Sequence, residues 1–309
     1  MSRIHEALKK AAEERSSKLG TEAPINLVDV AAEITVPSVA ESVLDRPALR
    51  REQRNVSDPA RASFDELAKK CAHPHWVADP RTSVFHGPDN HRIGAERFRT
   101  LRSRLYQIAS TQPLKKILVT SSIPSEGKTF VTANLASSIV RQNERRVLLI
   151  DGDLRASRLH LALGAPLTPG LTDYLRGECD EFEVIQKGFD NNLFFIPGGN
   201  IVSNPSELLM GDRIKRLLDF AAPLFDWIII DSPPALPVHD ASMLADLCDG
   251  VLFVVRAGQT DYQMAEKASS EFLNKNLLGV VLNCVEKGDG YGSYYYGYPH
   301  KDHKVEERA

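Results

Sequence analysis

Apolar runs of strand length alternate with amphipathic, helix-length segments along most of the chain. The runs are nearly continuous in Val, Ile and Leu, which is typical of strands buried on both faces of a parallel sheet. Strands are predicted at 116–121, 146–151, 193–198, 227–231, 251–255 and 279–283. Helices are predicted at 128–142, 206–221, 240–247 and 261–275. The pattern predicts an α/β fold, a doubly wound and mostly parallel sheet covered by helices.

A further helix is predicted immediately before this sheet. In RIGAERFRTLRSRLYQIA the apolar residues fall on one helical stripe, which consists of Ile93, Phe98, Leu101, Leu105 and Ile108. With the strands and helices above, this helix defines a predicted domain over residues 89–286.

The segments on either side of this domain have a different character. Prolines recur between charged patches over 21–88, which predicts a mostly irregular linker with one helix near Arg61 to Cys71. Residues 1–20 have apolar side chains at helical spacing, as in a solvated terminal helix or one that docks on a partner or membrane surface. Residues 287–309 begin with a cluster of glycines and tyrosines and are predicted to form a flexible tail.

Composition and charge exclude several classes of protein. The chain has 309 residues and a net charge of −3, which argues against a nucleic-acid partner. Its four cysteines are scattered without a CxxC pair, as expected of reduced thiols in a cytoplasm. No apolar run reaches the ~18–20 residues of a membrane helix, and charges interrupt the N-terminus too often for a secretory signal. We expect a cytoplasmic protein that reaches a membrane only through a partner or a peripheral contact.

The loop SSIPSEGKTF joins the first predicted strand to a helix and ends in the Gly-Lys-Thr of a P-loop. Backbone N–H groups of such a loop face a phosphate, and the dipole of the following helix favours its negative charge. The lysine can reach the β and γ phosphates, and the threonine can place its hydroxyl on Mg²⁺. Ser122 departs from the strict pattern, because a glycine is expected there. The candidate nucleotide-binding residues of the loop are Ser125, Glu126, Gly127, Lys128, Thr129 and Phe130.

Carboxylates end two later strands. Asp151 and Asp153 lie in LLIDGDLR, and Asp231 ends the strand of IIIDSPP. The carboxyl ends of parallel strands border the crevice where α/β sheets bind ligands. One aspartate there would be explained as a helix cap or a turn residue. Three of them beside a P-loop predict a site for Mg²⁺ and a nucleotide.

Together these motifs resemble those of the bacterial tyrosine kinases of exopolysaccharide and capsule synthesis. The resemblance rests on SSIPSEGKT, LLIDGDLR, NPSELL, IIIDSPP, VHDA and VLFVVRAGQT, in the family's order and over roughly residues 90 to 300. The N-terminal SRIHEALKKA is also similar to the opening of soluble autokinases of this kind. The resemblance implies a P-loop protein-tyrosine autokinase that uses ATP and Mg²⁺.

The resemblance assigns roles to the residues of the site. Lys128 would neutralise the transferring phosphoryl group, and Thr129, Asp153 and Asp231 would hold Mg²⁺ directly or through waters. Asp151 would lie nearest the incoming tyrosine, as a metal contact or as the acceptor of its proton. Phosphoryl transfer needs mainly alignment and charge compensation, so these groups suffice.

Two further residues have open roles. Arg155 would contact phosphate, although a solvent-facing charge fits the sequence nearly as well. Asn283, at the end of the last predicted strand, would hydrogen-bond the adenine edge or serve as a turn residue.

The helix before the sheet carries three charged residues at a spacing of three. At this spacing the three side chains of Glu96, Arg99 and Arg102 lie on one helix face. By itself, the pattern is typical of a solvent-exposed face with ion pairs between neighbouring turns. In the resembled kinases a motif of this spacing packs between the subunits of a ring. The resemblance implies a ring-shaped homo-oligomer with these residues at its interface.

The tail carries the candidate autophosphorylation sites. By itself a Gly/Tyr-rich end is typical of an exposed segment without a role. The resembled family presents a C-terminal tyrosine cluster to a neighbouring subunit's active site. The corresponding residues here are Tyr291, Tyr294, Tyr295, Tyr296 and Tyr298.

Two alternatives to an autokinase remain at this point. One is a partition or septum-placement ATPase. Those proteins carry a second lysine early in the P-loop, and the isoleucine at that position here, Ile123, argues against this class. The other is a nucleotide-gated scaffold without kinase activity. The resemblance further implies a membrane-bound polysaccharide chain-length regulator as activator, recruitment to the inner face of the plasma membrane, and a cognate tyrosine phosphatase.

Overall fold

The computed structural model describes residues 63–85, 92–142, 145–188, 190 and 192–285. The predicted helix within 1–20 and the tyrosine-rich tail 287–309 lie outside these residues. Among the described residues, no helix is long and apolar enough to cross a bilayer.

A seven-stranded sheet forms the centre of the described chain. Its strands are β1 (Lys116–Ser121), β2 (Val147–Asp151), β3 (Gln186–Lys187), β4 (Leu193–Ile196), β5 (Trp227–Asp231), β6 (Gly250–Arg256) and β7 (Leu277–Asn283). Their order in space is β3-β4-β2-β5-β1-β6-β7, and every neighbouring pair is parallel except β3 with β4. The predicted mostly parallel sheet is therefore confirmed.

Helices cover both faces of this sheet. They are α1 (Phe64–Lys70), α2 (Arg92–Ala109), α3 (Lys128–Val140), α4 (Leu159–Leu163), α5 (Leu171–Arg176), α6 (Glu181–Val184), α7 (Pro205–Met210), α8 (Asp212–Ala221), α9 (Asp240–Ala245) and α10 (Tyr262–Ser270), with a 3₁₀ turn at Leu273–Lys275. The single helix predicted at 206–221 is two helices that meet at Gly211, where the backbone is extended. Strand β3 and helices α4 to α6 were not predicted, because elements of this length show too little periodicity.

Successive residues of each central strand point into two separate apolar cores. Ile228 and Ile230 of β5 belong to one core, whereas Ile229 between them belongs to the other. The second core lies under α3, whose residues 131–140 are all buried. A helix that is buried all round needs a cover on its outer side, and α2 provides part of it.

A further part of that cover is the irregular segment of residues 72–85, which we call the N-terminal strap. It begins after α1 and places the buried Trp76 ring edge-on against Phe195, with centroids 5.8 Å apart. At its other end the Val84 N–H donates to Asn134 Oδ1 at 2.8 Å, and Asn134 Nδ2 donates to the Thr82 carbonyl at 2.8 Å. The strap is thus fastened to α3 by side-chain to backbone hydrogen bonds.

The helix predicted near Arg61 to Cys71 is confirmed as α1, with Ser63 as its N-cap and Leu67 fully buried. Residues 63–85 nevertheless differ from the irregular linker expected over 21–88, since they pack on the folded body. The difference has a physical reason: the strap is held by hydrogen bonds from other elements, which leave no periodic signal in its own sequence.

Candidate nucleotide and metal site

The loop between β1 and α3 has the backbone form of a phosphate cradle. Gly127 adopts a left-handed conformation with φ of 90°, and a Cβ there would lie 2.0 Å from Nδ2 of Asn283. Only glycine meets both conditions. Helix α3 begins at Lys128, and its first-turn N–H groups have no intrahelical acceptor, as in any α-helix. No N-cap side chain accepts from them either. These N–H groups and the helix dipole favour an anion at this position.

Lys128 and Asp153 form an ion pair beside this loop. Lys128 Nζ lies 3.3 Å from Asp153 Oδ2, and the two side chains are 12% and 6% exposed. Asp153 also accepts a hydrogen bond from the Ala156 N–H at 3.0 Å. The pair brings together the P-loop lysine and the motif after β2, as the sequence predicted.

Thr129 and Asp231 are also in contact. The Thr129 hydroxyl donates to Asp231 Oδ2 at 2.6 Å, and the Thr132 hydroxyl, one turn further along α3, donates to Oδ1 at 3.4 Å. Asp231 is 1% exposed. Burial raises its pKa to about 7, and the nearby Asp151 adds to the rise, while Lys128 and the Thr129 hydroxyl lower it.

Asp151 lies beside Asp231, because the two residues are register partners at the ends of β2 and β5. It is fully buried and accepts hydrogen bonds from the Ser157 hydroxyl at 2.7 Å, the Leu159 N–H at 3.1 Å and the Asp153 N–H at 3.2 Å. Burial raises the pKa of Asp151 to about 6, the Asp153 carboxylate adds to the rise, and the bonds from Ser157 and Leu159 lower it.

The donor set fits a hard divalent cation such as Mg²⁺. Three clustered carboxylates, two of them with raised pKa values, gain from a nearby positive charge, and the Thr129 hydroxyl adds an oxygen ligand. Within the described ranges, no group of three or more His, Cys, Asp or Glu side chains is arranged to hold a metal by itself. Mg²⁺ needs no such cage, because it usually keeps several waters and binds substrate phosphates.

Arg155 differs from the expected phosphate contact. Its Nε donates to Asp240 Oδ2 at 2.8 Å, and a second guanidinium nitrogen donates to the Ser206 hydroxyl at 2.8 Å. Burial alone would raise the pKa of Asp240, but the bonds from Arg155 and Ser206 outweigh it and hold the pKa below its usual value. In this conformation Arg155 ties the segment after β2 to α7 and α9.

Three other predicted contacts also have structural partners inside the chain. Asn283 Nδ2 donates to the Glu126 carbonyl at 2.9 Å, so its amide nitrogen faces the P-loop backbone. The Glu126 carboxylate is buried among protein donors, and the Phe130 ring packs against Phe98 at 5.8 Å between centroids. Glu126 and Phe130 can therefore offer a nucleotide their backbone, not their side chains.

Comparisons with known proteins place this site in a family. An AAA domain family (AAA_31) matches residues 115–269. The tyrosine-protein kinase YwqD of Bacillus subtilis is 34% identical over 209 residues, which cover 66% of this chain and 87% of YwqD. The chain belongs to the bacterial tyrosine kinase family. It is thus an enzyme of the protein-tyrosine kinase class with an ATP-binding P-loop, as predicted.

Other bacterial tyrosine kinases match over a smaller part of their length. Wzc of Salmonella typhimurium is 34% identical over 213 residues, which are 68% of this chain but only 30% of Wzc. The kinase domain of Escherichia coli ETK has a TM-score of 0.59 at 32% identity, and covers 66% of this chain and 81% of that domain. The chimeric protein CapA2B2 has a TM-score of 0.63 at 27% identity, over 73% of this chain and all of the chimera.

Helix α2, which precedes the candidate site of this bacterial tyrosine kinase, presents its charged residues in two ways. Glu96 and Arg99 form an ion pair, and each side chain is about half exposed. Arg102 instead donates to the Ser138 carbonyl of α3 within the same chain. The role of all three residues at a subunit interface stays a prediction, and so does the phosphorylation of the tail tyrosines.

Sequence reasoning missed four side chains that contact residues of this candidate site, namely Thr132, Ser157, Arg256 and Thr260. Thr132, on the face of α3 that carries Thr129, had a signal in its spacing of three. Arg256 and Thr260 lie in the motif VLFVVRAGQT, but the motif does not indicate which residues they contact. Ser157 had no signal, because it reaches the site from a loop whose course the sequence does not reveal.

Proposed function

We propose that this protein is an ATP-dependent protein-tyrosine autokinase that phosphorylates its own C-terminal tyrosine cluster, in trans within a ring-shaped oligomer. The observation that carries this proposal is the convergence of Lys128, Thr129 and three strand-end aspartates beside an uncapped helix N-terminus. Phosphorylation of the tail would regulate exopolysaccharide polymerisation and export.

In the proposed reaction a tyrosine oxygen bonds to the γ-phosphorus of ATP, and the bond from that phosphorus to the oxygen that leaves with ADP breaks. The P-loop N–H groups and Lys128 would hold the phosphates, once Lys128 exchanges Asp153 for them. Thr129, Asp153 and Asp231 would hold Mg²⁺, which compensates the charge on the phosphates. The tyrosine proton would pass to Asp151, whose raised pKa of about 6 suits an acceptor better than an ordinary aspartate.

The proposal also includes a homo-oligomeric ring, a membrane-bound activator and a phosphatase. The exposed Glu96–Arg99 pair leaves a charged face of α2 for a neighbouring subunit in a ring. The chain spans about 30% of Wzc, so the rest of that relative has no counterpart among the matched residues. We propose that a membrane-bound chain-length regulator supplies activation and recruits the cytoplasmic kinase to the inner face of the plasma membrane. A cognate tyrosine phosphatase would reset the tail.

A phosphorylation map of residues 286–309 tests the proposal. The protein is incubated with Mg·ATP, with and without the candidate membrane partner, and mapped by mass spectrometry. Phosphotyrosine is expected in the wild type and in Lys267→Met, which changes an exposed lysine of α10, but not in Lys128→Met. A tail that stays bare with the partner present contradicts the autokinase and favours a partition-type ATPase. Phosphate on the Lys128→Met tail would show that another kinase modifies it.

A further inference from the structure

Glu126 is a buried carboxylate in the middle of the P-loop. It is 2% exposed, and its carboxylate faces protein donors. Oε2 accepts the Ile123 N–H at 2.8 Å, while Oε1 accepts the Thr260 hydroxyl at 2.5 Å and the Arg256 N–H at 3.4 Å. Burial of a carboxylate is costly unless hydrogen bonds compensate it, and these three donors supply that compensation.

The residues on both sides of Glu126 have unusual backbone conformations. Ser125 has φ of 68° and Gly127 has φ of 90°, so both lie in the left-handed region. For Ser125, which has a Cβ, this conformation is unfavourable and persists only where the surroundings impose it. The bond from Ile123 N–H to the Glu126 carboxylate closes the loop on itself across Ser125. The Arg256 guanidinium donates to the Ser125 carbonyl at 3.3 Å and fixes the same turn from outside.

The opposite side of Glu126 is held as well. Asn283, the last residue of β7, donates to the Glu126 carbonyl at 2.9 Å. Glu126 is thus tied through its carboxylate to the end of β6 and through its backbone to the end of β7. These two strands form one edge of the sheet and take no part in the carboxylate cluster.

We propose that Glu126 is a positioning residue that holds the P-loop backbone in its phosphate-binding form by tying it to the ends of β6 and β7. The inference rests on the proposed nucleotide function and adds to it how the loop is kept in shape before a nucleotide arrives. Without the tie, the left-handed turn at Ser125 would relax, and nucleotide binding would have to restore it at the expense of affinity.

Glutamine is the informative replacement because it has the shape of glutamate but only one acceptor oxygen. If the glutamine oxygen accepts the Ile123 N–H, the glutamine NH₂ group faces the Arg256 N–H, which is also a donor. If the amide is flipped, the NH₂ group faces the Ile123 N–H instead, so one donor loses its acceptor in either orientation. Thr260→Val tests the same tie from its far end, since the Thr260 hydroxyl is buried, donates to Glu126 Oε1 and accepts the Arg256 N–H at 3.2 Å. Thr172→Val is the matched control, because it removes a buried hydroxyl that has no hydrogen-bond partner.

The experiment measures the equilibrium Kd for Mg·ADP of the full chain by titration. Glu126→Gln should weaken binding about tenfold, ~1.4 kcal/mol, and Thr260→Val a few-fold, while Thr172→Val leaves Kd unchanged. In the double variant Glu126→Gln/Thr260→Val, the loss of affinity should be clearly smaller than the product of the two single effects, because Thr260 and Glu126 share one hydrogen bond. A merely structural role would lower the unfolding temperature and leave the Kd of the folded protein unchanged.

Two results overturn the inference. One is a wild-type Kd in folded Glu126→Gln or, if that variant does not fold, a wild-type Kd in Thr260→Val. The other is full additivity in the double variant. Binding of Mg·ADP is read apart from tail phosphorylation, so the two proposals can fail separately. A wild type that binds Mg·ADP and leaves its tail bare contradicts the autokinase alone, whereas a wild type that binds no Mg·ADP contradicts both.

Discussion

Replacing Asp231 by asparagine is expected to stabilise the nucleotide-free protein and to abolish its response to Mg²⁺ and nucleotide. Asp231 is 1% exposed and lies beside the Asp151 carboxylate at the end of the neighbouring strand. Burial first, and Asp151 in addition, make its charge unfavourable in the folded state. Asparagine removes the charge and keeps an oxygen that can accept the Thr129 hydroxyl.

The magnitude follows from the pKa. A rise from 3.8 to about 7 is a cost of about 4 kcal/mol for the ionised group, at 1.36 kcal/mol per pKa unit. Burial of the asparagine amide itself costs free energy, which offsets part of the stabilisation gained by removing the charge. We therefore expect a net gain of about 2 kcal/mol in the free energy of unfolding at pH 8, or roughly 4–8 °C in Tm.

The gain should depend on pH with a definite sign. The folded pKa of Asp231 lies above 3.8, so between 3.8 and about 7 the native state holds a proton that the unfolded chain has lost. The wild type therefore loses stability as pH rises through this window. The advantage of Asp231→Asn should be largest above pH 7 and should shrink as pH falls. It should change sign before about pH 4, because the cost of burying the amide does not depend on pH.

Thermal unfolding with a chelator present, between about pH 4 and about pH 8, measures both effects. Asp219→Asn, which changes an exposed aspartate of α8, should behave as wild type throughout. Addition of Mg·ADP should then raise the Tm of the wild type and of Asp219→Asn but not that of Asp231→Asn. A destabilised Asp231→Asn at pH 8, or one that still responds to Mg·ADP, would refute the electrostatic account of the site.

Two further substitutions test the strap and the proton acceptor. Asn134→Ala leaves the Val84 N–H and the Thr82 carbonyl without their partner and should cost about 2–4 kcal/mol in denaturant unfolding, whereas the exposed Asn200→Ala should cost little. Ser157→Ala removes a hydrogen bond that orients the Asp151 carboxylate. Although the pKa of Asp151 would rise further, the loss of orientation should lower kcat for tail phosphorylation about tenfold with little change in the KM for ATP. A larger effect on KM than on kcat would place Ser157 in nucleotide binding instead.

The sequence predicted the parts of this molecule that repeat a regular pattern. The bounds of β1 and β5 agree with the predicted strands residue for residue, because both are apolar runs that end abruptly in polar residues. Asp151 and Asp231 could be placed together for the same reason, since a parallel sheet brings the carboxyl ends of its strands to one edge.

Contacts between irregular segments could not be predicted in this way. The strap is held by Asn134, a residue inside α3, and nothing in residues 72–85 indicates which helix they cross. For Arg155 the sequence left open a phosphate contact or a solvent-facing charge, and it did not indicate the partner Asp240, which comes from a helix 85 residues further along the chain. Such pairs depend on the final packing of the elements, which local periodicity does not determine.

The electrostatics of the site distinguish two ways of losing activity. Asp231→Asn removes a charge whose burial is unfavourable, so the nucleotide-free protein should become more stable. The ammonium group of Lys128 pairs with Asp153 at 3.3 Å and lowers the pKa of Asp231. Lys128→Met removes this positive charge, so the negative charge of the carboxylates is less compensated and stability should fall. Both variants should lack phosphoryl transfer, yet their unfolding temperatures should move in opposite directions. General damage to the fold would lower both, whereas a site that holds uncompensated negative charge until Mg²⁺ arrives requires the opposite signs.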